Sequence, residues 1–183
     1  MLTSAQLADA LLDGKHSGFT VMPERWPMLE EEDVVTASDP ACQSLADVTS
    51  VKPKHQLTGT VWAVLQDKNG NSGGSIVLSS FATGGAKDWM SELKAALTTC
   101  KNFSASSRRG WSDPVTLAAL PAADVGDGSV SYSVTADETS AKRQIMTIVR
   151  TGGSLAVYLT PSDGQRPPVS LMKRQHEQLE AAG

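Results

Sequence analysis

Residues 129–160, SVSYSVTADETSAKRQIMTIVRTGGSLAVYLT, decide the fold class. Within them Val130, Tyr132 and Val134 alternate with Ser131 and Ser133, a period of two that predicts a strand over Ser129–Thr135 with one face buried and one wet. Two more strands are expected over Arg143–Thr151 and Ser154–Thr160. Thr151-Gly152-Gly153-Ser154 joins them as a tight hairpin, its glycines supplying the positive φ that such turns require.

Upstream of this block, short strands are expected near Phe103–Ser107 and over Val115–Leu120. Farther back, Thr58–Gln66 is rich in β-branched residues and alternates, Asp67–Gly74 is a turn carrying Asn69-Gly70, and Ser75–Phe81 is a second strand, together a hairpin with a long tip. Gly84 and Gly85 break that strand. Trp89, Leu93, Ala96, Leu97 and Cys100 then recur at three- and four-residue steps, which predicts a helix over Ala86–Thr99. A second amphipathic helix opens at Pro167 and Pro168, with Val169, Leu171, Met172 and Leu179 on its apolar side and Lys173, Arg174, Glu177 and Glu180 on its wet side. Near the start, Thr3 or Ser4 caps a short helix carrying Leu7, Ala10, Leu11 and Leu12 and ending at Gly14, followed by a strand over Phe19–Met22. Between Val34 and Gln56 no period is sustained, and an ordered loop pinned chiefly by Cys42 is expected. These elements predict an α+β fold: an antiparallel β-sheet with two principal helices packed on it, plus a short N-terminal helix.

A chain of 183 residues with 20% charged, 40% hydrophobic and 5% aromatic residues fits one compact domain spanning 1–183. Sixteen basic side chains against 20 acidic ones give a net charge of −4, the wrong sign to coat a phosphate backbone, so no nucleic-acid partner is expected. The longest apolar runs, Val61–Leu65 and Leu155–Leu159, fall far short of the roughly 20 residues that cross a bilayer, so a soluble chain is expected. Residues 1–20 lack the basic start and apolar stretch of a secretion signal; any such signal has been removed or never existed.

Cys42 and Cys100 stand alone with no His near either, which excludes a CxxC redox pair and a zinc knuckle. Two readings stay open: buried reduced thiols in a cytosolic protein, or one disulfide closing a loop of roughly 60 residues in an exported one. By chain entropy such a bridge contributes about 4 kcal/mol. A nucleophilic thiolate is disfavoured, because Cys100 falls at a helix C-terminus, where the dipole raises a thiol pKa.

Catalytic and cofactor motifs are missing: no GxSxG elbow, Walker loop, HExxH, EF-hand loop or GxGxxG is present, and no serine has a neighbouring His. No catalytic residue, metal site or cofactor is assigned. Gly126-Asp127-Gly128 and Ser162-Asp163-Gly164 read as turns, and Glu30–Asp33 as a solvated loop or helix end. His16, His55 and His176 share no motif. The one site-like hint is aromatic and basic: Trp62, opposite in face to Val61, Ala63 and Leu65, and Trp111 after Arg108-Arg109-Gly110, could line a groove for an anionic or aromatic ligand. The plainer alternative has Trp62 packed under a helix and the arginines solvated.

The order of features carries a resemblance. A leading Ala10-Leu11-Leu12 helix, Cys42 after Asp39-Pro40-Ala41, a helix from Trp89 into Cys100, Val125-Gly126-Asp127-Gly128-Ser129 before a Tyr-bearing strand, the hairpin Val149–Ala156 and a closing Pro168–Leu179 helix line up over residues 5–181. Together they resemble the sensor-domain-containing lipoproteins of actinobacteria, relatives of the PknH-type extracellular sensor domain. The resemblance implies an exported, often lipid-anchored domain at the cell surface, with an antiparallel sheet, packed helices and a groove for an unknown small molecule or envelope component. The prototype carries two disulfides, whereas this chain can form only Cys42–Cys100. No kinase domain, transmembrane helix or lipid-attachment cysteine is present, so a membrane link would run through an N-terminal lipid anchor upstream of Met1. The expectation is a non-enzymatic extracytoplasmic sensor domain; the alternative is a structural or protein-interaction module of the envelope, meeting a protein partner at a sheet edge or at the Trp62 face.

Overall fold

The computed structural model describes residues 1–25, 31–50, 52–136, 143–161 and 166–183. Its strands are β1 (Gly14–His16), β2 (Phe19–Glu24), β3 (Val35–Ala37), β4 (Leu57–Gln66), β5 (Ser72–Phe81), β6 (Asn102–Ser107), β7 (Ser112–Leu120), β8 (Gly128–Ala136), β9 (Arg143–Thr151) and β10 (Ser154–Pro161). Its α-helices are α1 (Ser4–Ala10), α2 (Gln43–Ser50), α3 (Gly85–Thr99) and α4 (Val169–Ala182). The strands form one antiparallel sheet in the order β1-β2-β4-β5-β10-β9-β8-β7-β6-β3, so the α+β expectation holds. The β9–β10 hairpin turns at Gly152, which takes φ 55°.

Both faces of the sheet are covered, and this explains why β5 carries three consecutive buried apolar residues, Ile76, Val77 and Leu78. Ile76 and Leu78 point into a core shared with α1 and α4, while Val77 and Phe81 join a second core with α2 and α3. Covering both faces also corrects the reading of β8. Ser129, Ser131 and Ser133 are buried at 8%, 2% and 2% exposure. Their hydroxyls are satisfied inside: Ser129 Oγ accepts from the Ala123 amide at 3.0 Å, Ser131 donates to Thr147 at 3.2 Å, and Arg143 donates to Ser133 at 3.0 Å. A paired hydroxyl on a covered face has the same sequence period as a wet one.

On the first face, Thr3 and Gln6 form a capping box for α1, the amide of each bonded to the other's side chain at 3.0–3.3 Å. The helix ends at Ala10 rather than at Gly14, with Leu11 extended as its C-cap. Gly59 lets it approach β4, since a Cβ there would lie 2.5 Å from the Ser4 amide nitrogen. α1 meets α4 through Gln175, fully buried, whose amide accepts from the Leu12 backbone N–H at 3.1 Å and donates to the Ala10 carbonyl at 2.8 Å. Val169, expected on the apolar side of α4, is 38% exposed.

On the second face the expected loop over Val34–Gln56 is instead β3, a 3-10 turn over Pro40–Cys42, and α2. The prediction of two principal helices is corrected accordingly: a fourth helix packs beside α3. Cys42 and Cys100 are disulfide-bonded, Cα to Cα 5.6 Å, which fastens the start of α2 to the end of α3. The predicted turn at Ser162-Asp163-Gly164 lies outside the described residues, as does Glu30. Among the described residues no helix is long and apolar enough to cross a membrane.

Candidate functional site

The candidate site is built around α2, a helix too short to show a period. The 3-10 turn Pro40–Cys42 that leads into it is started by Asp39, whose Oδ1 accepts from the Ala41 amide at 2.9 Å, and by Pro40 at its first position. Leu45, Ala46 and Val48 anchor α2 in the core, and the Trp89 indole N–H of α3 donates to the Ser44 carbonyl at 3.3 Å. Gln43 ties it to the edge strand: its Oε1 accepts from the Ala37 amide at 2.9 Å and its Nε2 donates to the Val35 carbonyl at 3.0 Å. A hollow opens on each side of the helix.

Toward the sheet lies an apolar groove of about 340 Å³ between α2 and β6–β8, within the range of small-molecule sites. Strand register places its floor. Phe103, Val115 and Ala136 stand side by side, Ala105 faces Asp113 two residues along, and Leu117, Val134 and Gln144 align in the other direction. Leu45 and Thr49 of α2 form the opposite wall, and Trp111, 38% exposed, stands at the rim. The polar groups available to a ligand are Asp113, Thr49 and Gln144.

Away from the sheet, a wider cleft of about 540 Å³ separates α2 from α3. Lys54 Nζ lies 2.7 Å and His55 Nε2 3.2 Å from the two carboxylate oxygens of Glu92. Partial burial works to raise the Glu92 carboxyl, but its contacts with Lys54 and His55 outweigh that and hold it below the usual value. Asp47, 9% exposed, accepts from Gln43 Nε2 at 2.7 Å. Burial pushes its carboxyl up, the Gln43 bond pulls it partly back, and the nearby Glu92 charge adds to the rise.

The four residues singled out from sequence do not gather. Trp62 lies on β4, partly buried against the α2–α3 core, and four strands, β5, β10, β9 and β8, stand between β4 and β7. Arg108, Arg109 and Trp111 sit together at the β6–β7 turn. The Arg109 guanidinium is committed to carboxylates, its Nε to Asp33 Oδ1 and its Nη1 3.9 Å from Glu32. The expected groove does not form as one site: Arg109 is engaged with carboxylates, Trp62 lies beyond four intervening strands, and Trp111 stands at the rim of the hollow beside α2. Sequence reading missed the α2 wall, although Asp39-Pro40 was a usable cap signal.

Two other polar clusters lie elsewhere on the chain. Asp127 caps the β9–β10 turn, accepting from the Gly152 amide at 2.7 Å and pairing with Arg150 at 3.2 Å, as a strand-entry turn should. Thr151 Oγ1 is 2.7 Å from His176 Nδ1, and His176 Nε2 is 3.6 Å from Glu180. That order imitates a hydroxyl–imidazole–carboxylate relay, with Thr151 itself buried at 6% exposure. Among the described residues no three metal-ligating side chains converge.

No protein-family model matches the chain, and no curated protein does. Among solved structures it is similar to the extracellular domain of PknH from Mycobacterium tuberculosis, with a TM-score of 0.53 and 10% identity over 100% of this chain and 92% of that one. At that identity the likeness speaks for the fold alone: the chain has a PknH-sensor-like fold along its whole length.

Proposed function

We propose that this chain is a non-enzymatic, extracytoplasmic sensor-like domain, secreted or lipid-anchored, that binds a small, largely apolar ligand between α2 and β6–β8. The observation that carries the reading is the groove itself: an apolar floor set by strand register, three polar groups and a tryptophan at the rim. The fold likeness to a domain that works outside the cell supports the compartment, as does a disulfide, a bond that persists in oxidising surroundings. The protein-interaction alternative has less to stand on, since the edge strands β1 and β3 are three residues each and Trp62 packs against the core.

The test is a titration with 1-anilinonaphthalene-8-sulfonate, followed by dye emission and by competition with lipid extracts of cell envelopes. One saturable site is expected. Trp111→Ala should weaken it about 2- to 10-fold, the worth of one aromatic contact, and Thr49→Trp, which fills the mouth, should abolish it. Dye binding that does not saturate, or that Thr49→Trp leaves unchanged, overturns the proposal.

A further inference from the structure

The cleft between α2 and α3 holds a buried acid with half its hydrogen-bonding capacity uncommitted. Asp47 Oδ1 is fixed by Gln43, and Gln43 is itself locked onto the edge strand β3 by two backbone bonds, so the carboxylate is held in one orientation. No donor among the described residues reaches Asp47 Oδ2, and the side chain lines the cleft. Leaving a carboxylate largely out of water with no cation hydrogen-bonded to it is costly, and Lys54 and His55 offset that only at longer range. The cations nearby are occupied: Lys54 and His55 both turn to Glu92. The rest of the wall is short and apolar, with Pro40, Ala41, Ala95 and Ala96 facing the opening.

We infer that this cleft is a second binding site, distinct from the Trp111 groove, and that it takes a primary ammonium group on an aliphatic stem, the ammonium meeting Asp47 Oδ2 and the stem lying along the alanine wall. A positive head complements a carboxylate that the fold has oriented and whose nearest cations, Lys54 and His55, contact Glu92 instead of it. The volume of about 540 Å³ exceeds what a bare metal ion needs and leaves room for a chain of several methylenes. Ser44, Thr98 and Thr99 at the rim supply hydroxyls for a more distal polar group. The same chemistry is offered by a free alkyl diamine and by a lysine side chain within a peptide.

The experiment is calorimetric titration of the full chain with 1,5-diaminopentane and, separately, with Nα-acetyl-lysine amide; the fully N-acetylated form of each serves as a neutral control. Saturable binding of at least one amine is expected. It should fall about tenfold or more in Asp47→Asn, which keeps shape and removes charge. Ala95→Leu, at an exposed helix position that projects into the cleft, should block it while leaving the charge in place, so a folding defect in one variant does not decide the result. Trp111→Ala should leave it unchanged. Which amine binds assigns the source, diamine or peptide. No saturation by about 10 mM of either amine, equal binding by the neutral controls, or undiminished binding in Asp47→Asn and Ala95→Leu overturns the inference. Dye binding in the Trp111 groove is read independently, so either site can fail alone.

Discussion

The two faces of the sheet are covered in different ways. On one, α1 and α4 close over Leu65, Ile76, Leu78 and Tyr158, and the join between the helices is a fully buried glutamine, Gln175, bonded to the backbone of Ala10 and Leu12 at the C-terminal end of α1. On the other, α3 lies on the sheet, but the eight-residue α2 only bridges its edge, with a hollow on either side and a disulfide holding it at one end. An isolated helix of that length does not persist in water, so its position depends on what fastens it. The closed face is made by complementary packing, the open face by a covalent tie, and the space that a ligand needs is found where packing is incomplete.

Removing the tie should have the largest effect. The double substitution Cys42→Ala with Cys100→Ala is expected to cost about 4 kcal/mol by loop entropy, seen as a fall in Tm, and amide exchange should accelerate in α2 before α4. Equal acceleration in both helices would erase the proposed contrast between the faces. Gln175→Leu tests the closed face: stranding the Leu12 amide and the Ala10 carbonyl should cost about 1–3 kcal/mol, with exchange rising in α1 and α4 and not in α2. Arg109→Ala, which removes the partly exposed ion pair with Asp33, should cost no more than about 1 kcal/mol in denaturant melts.

The smallest effect has the opposite sign. Because burial raises the Asp47 carboxyl above its ordinary 3.8, the folded chain holds that proton more tightly than the unfolded one. Its contribution to stability is therefore greatest in acid and declines as pH rises from the ordinary value through the raised one. Asp47→Asn should melt slightly higher than the wild type at pH 7, and the gain should vanish below the ordinary carboxylate range. A gain that persists into acid would mean that Asp47 is not strained by burial. Stability sacrificed at a cleft is what a binding residue on the open face would show.

The contrast between the faces also marks how far the sequence could be read. Elements that carry their own periodic signal were legible: the β4–β5 hairpin around Asn69-Gly70, the Trp89–Cys100 stripe of α3, the Leu171–Leu179 stripe of α4, and β8 to β10. β3 and α2 were not, because three and eight residues are too few to display a period and both are held by distant groups, Gln43 and Cys100. The serines of β8 misled for a different reason: alternation reports polarity, and a hydroxyl paired under a covering segment is as polar as one in water. Trp111 stood out in the sequence because it follows Arg108-Arg109-Gly110, and the fold sets it at the rim of the hollow beside α2. Trp62 was placed on the correct face of its strand, but its distance from Trp111 follows from strand order, which no local signal encodes.

By itself, the sequence determined the α+β class, the antiparallel hairpins and the two longer helices, because hydrophobic period and turn chemistry are local properties of the chain. The tertiary structure alone decided that both sheet faces are covered, that Cys42 meets Cys100, that Arg109 is spent on Asp33, and that two hollows flank α2. Each of these depends on residues tens of positions apart being brought together, and that is a property of the ten-strand order rather than of any segment within it.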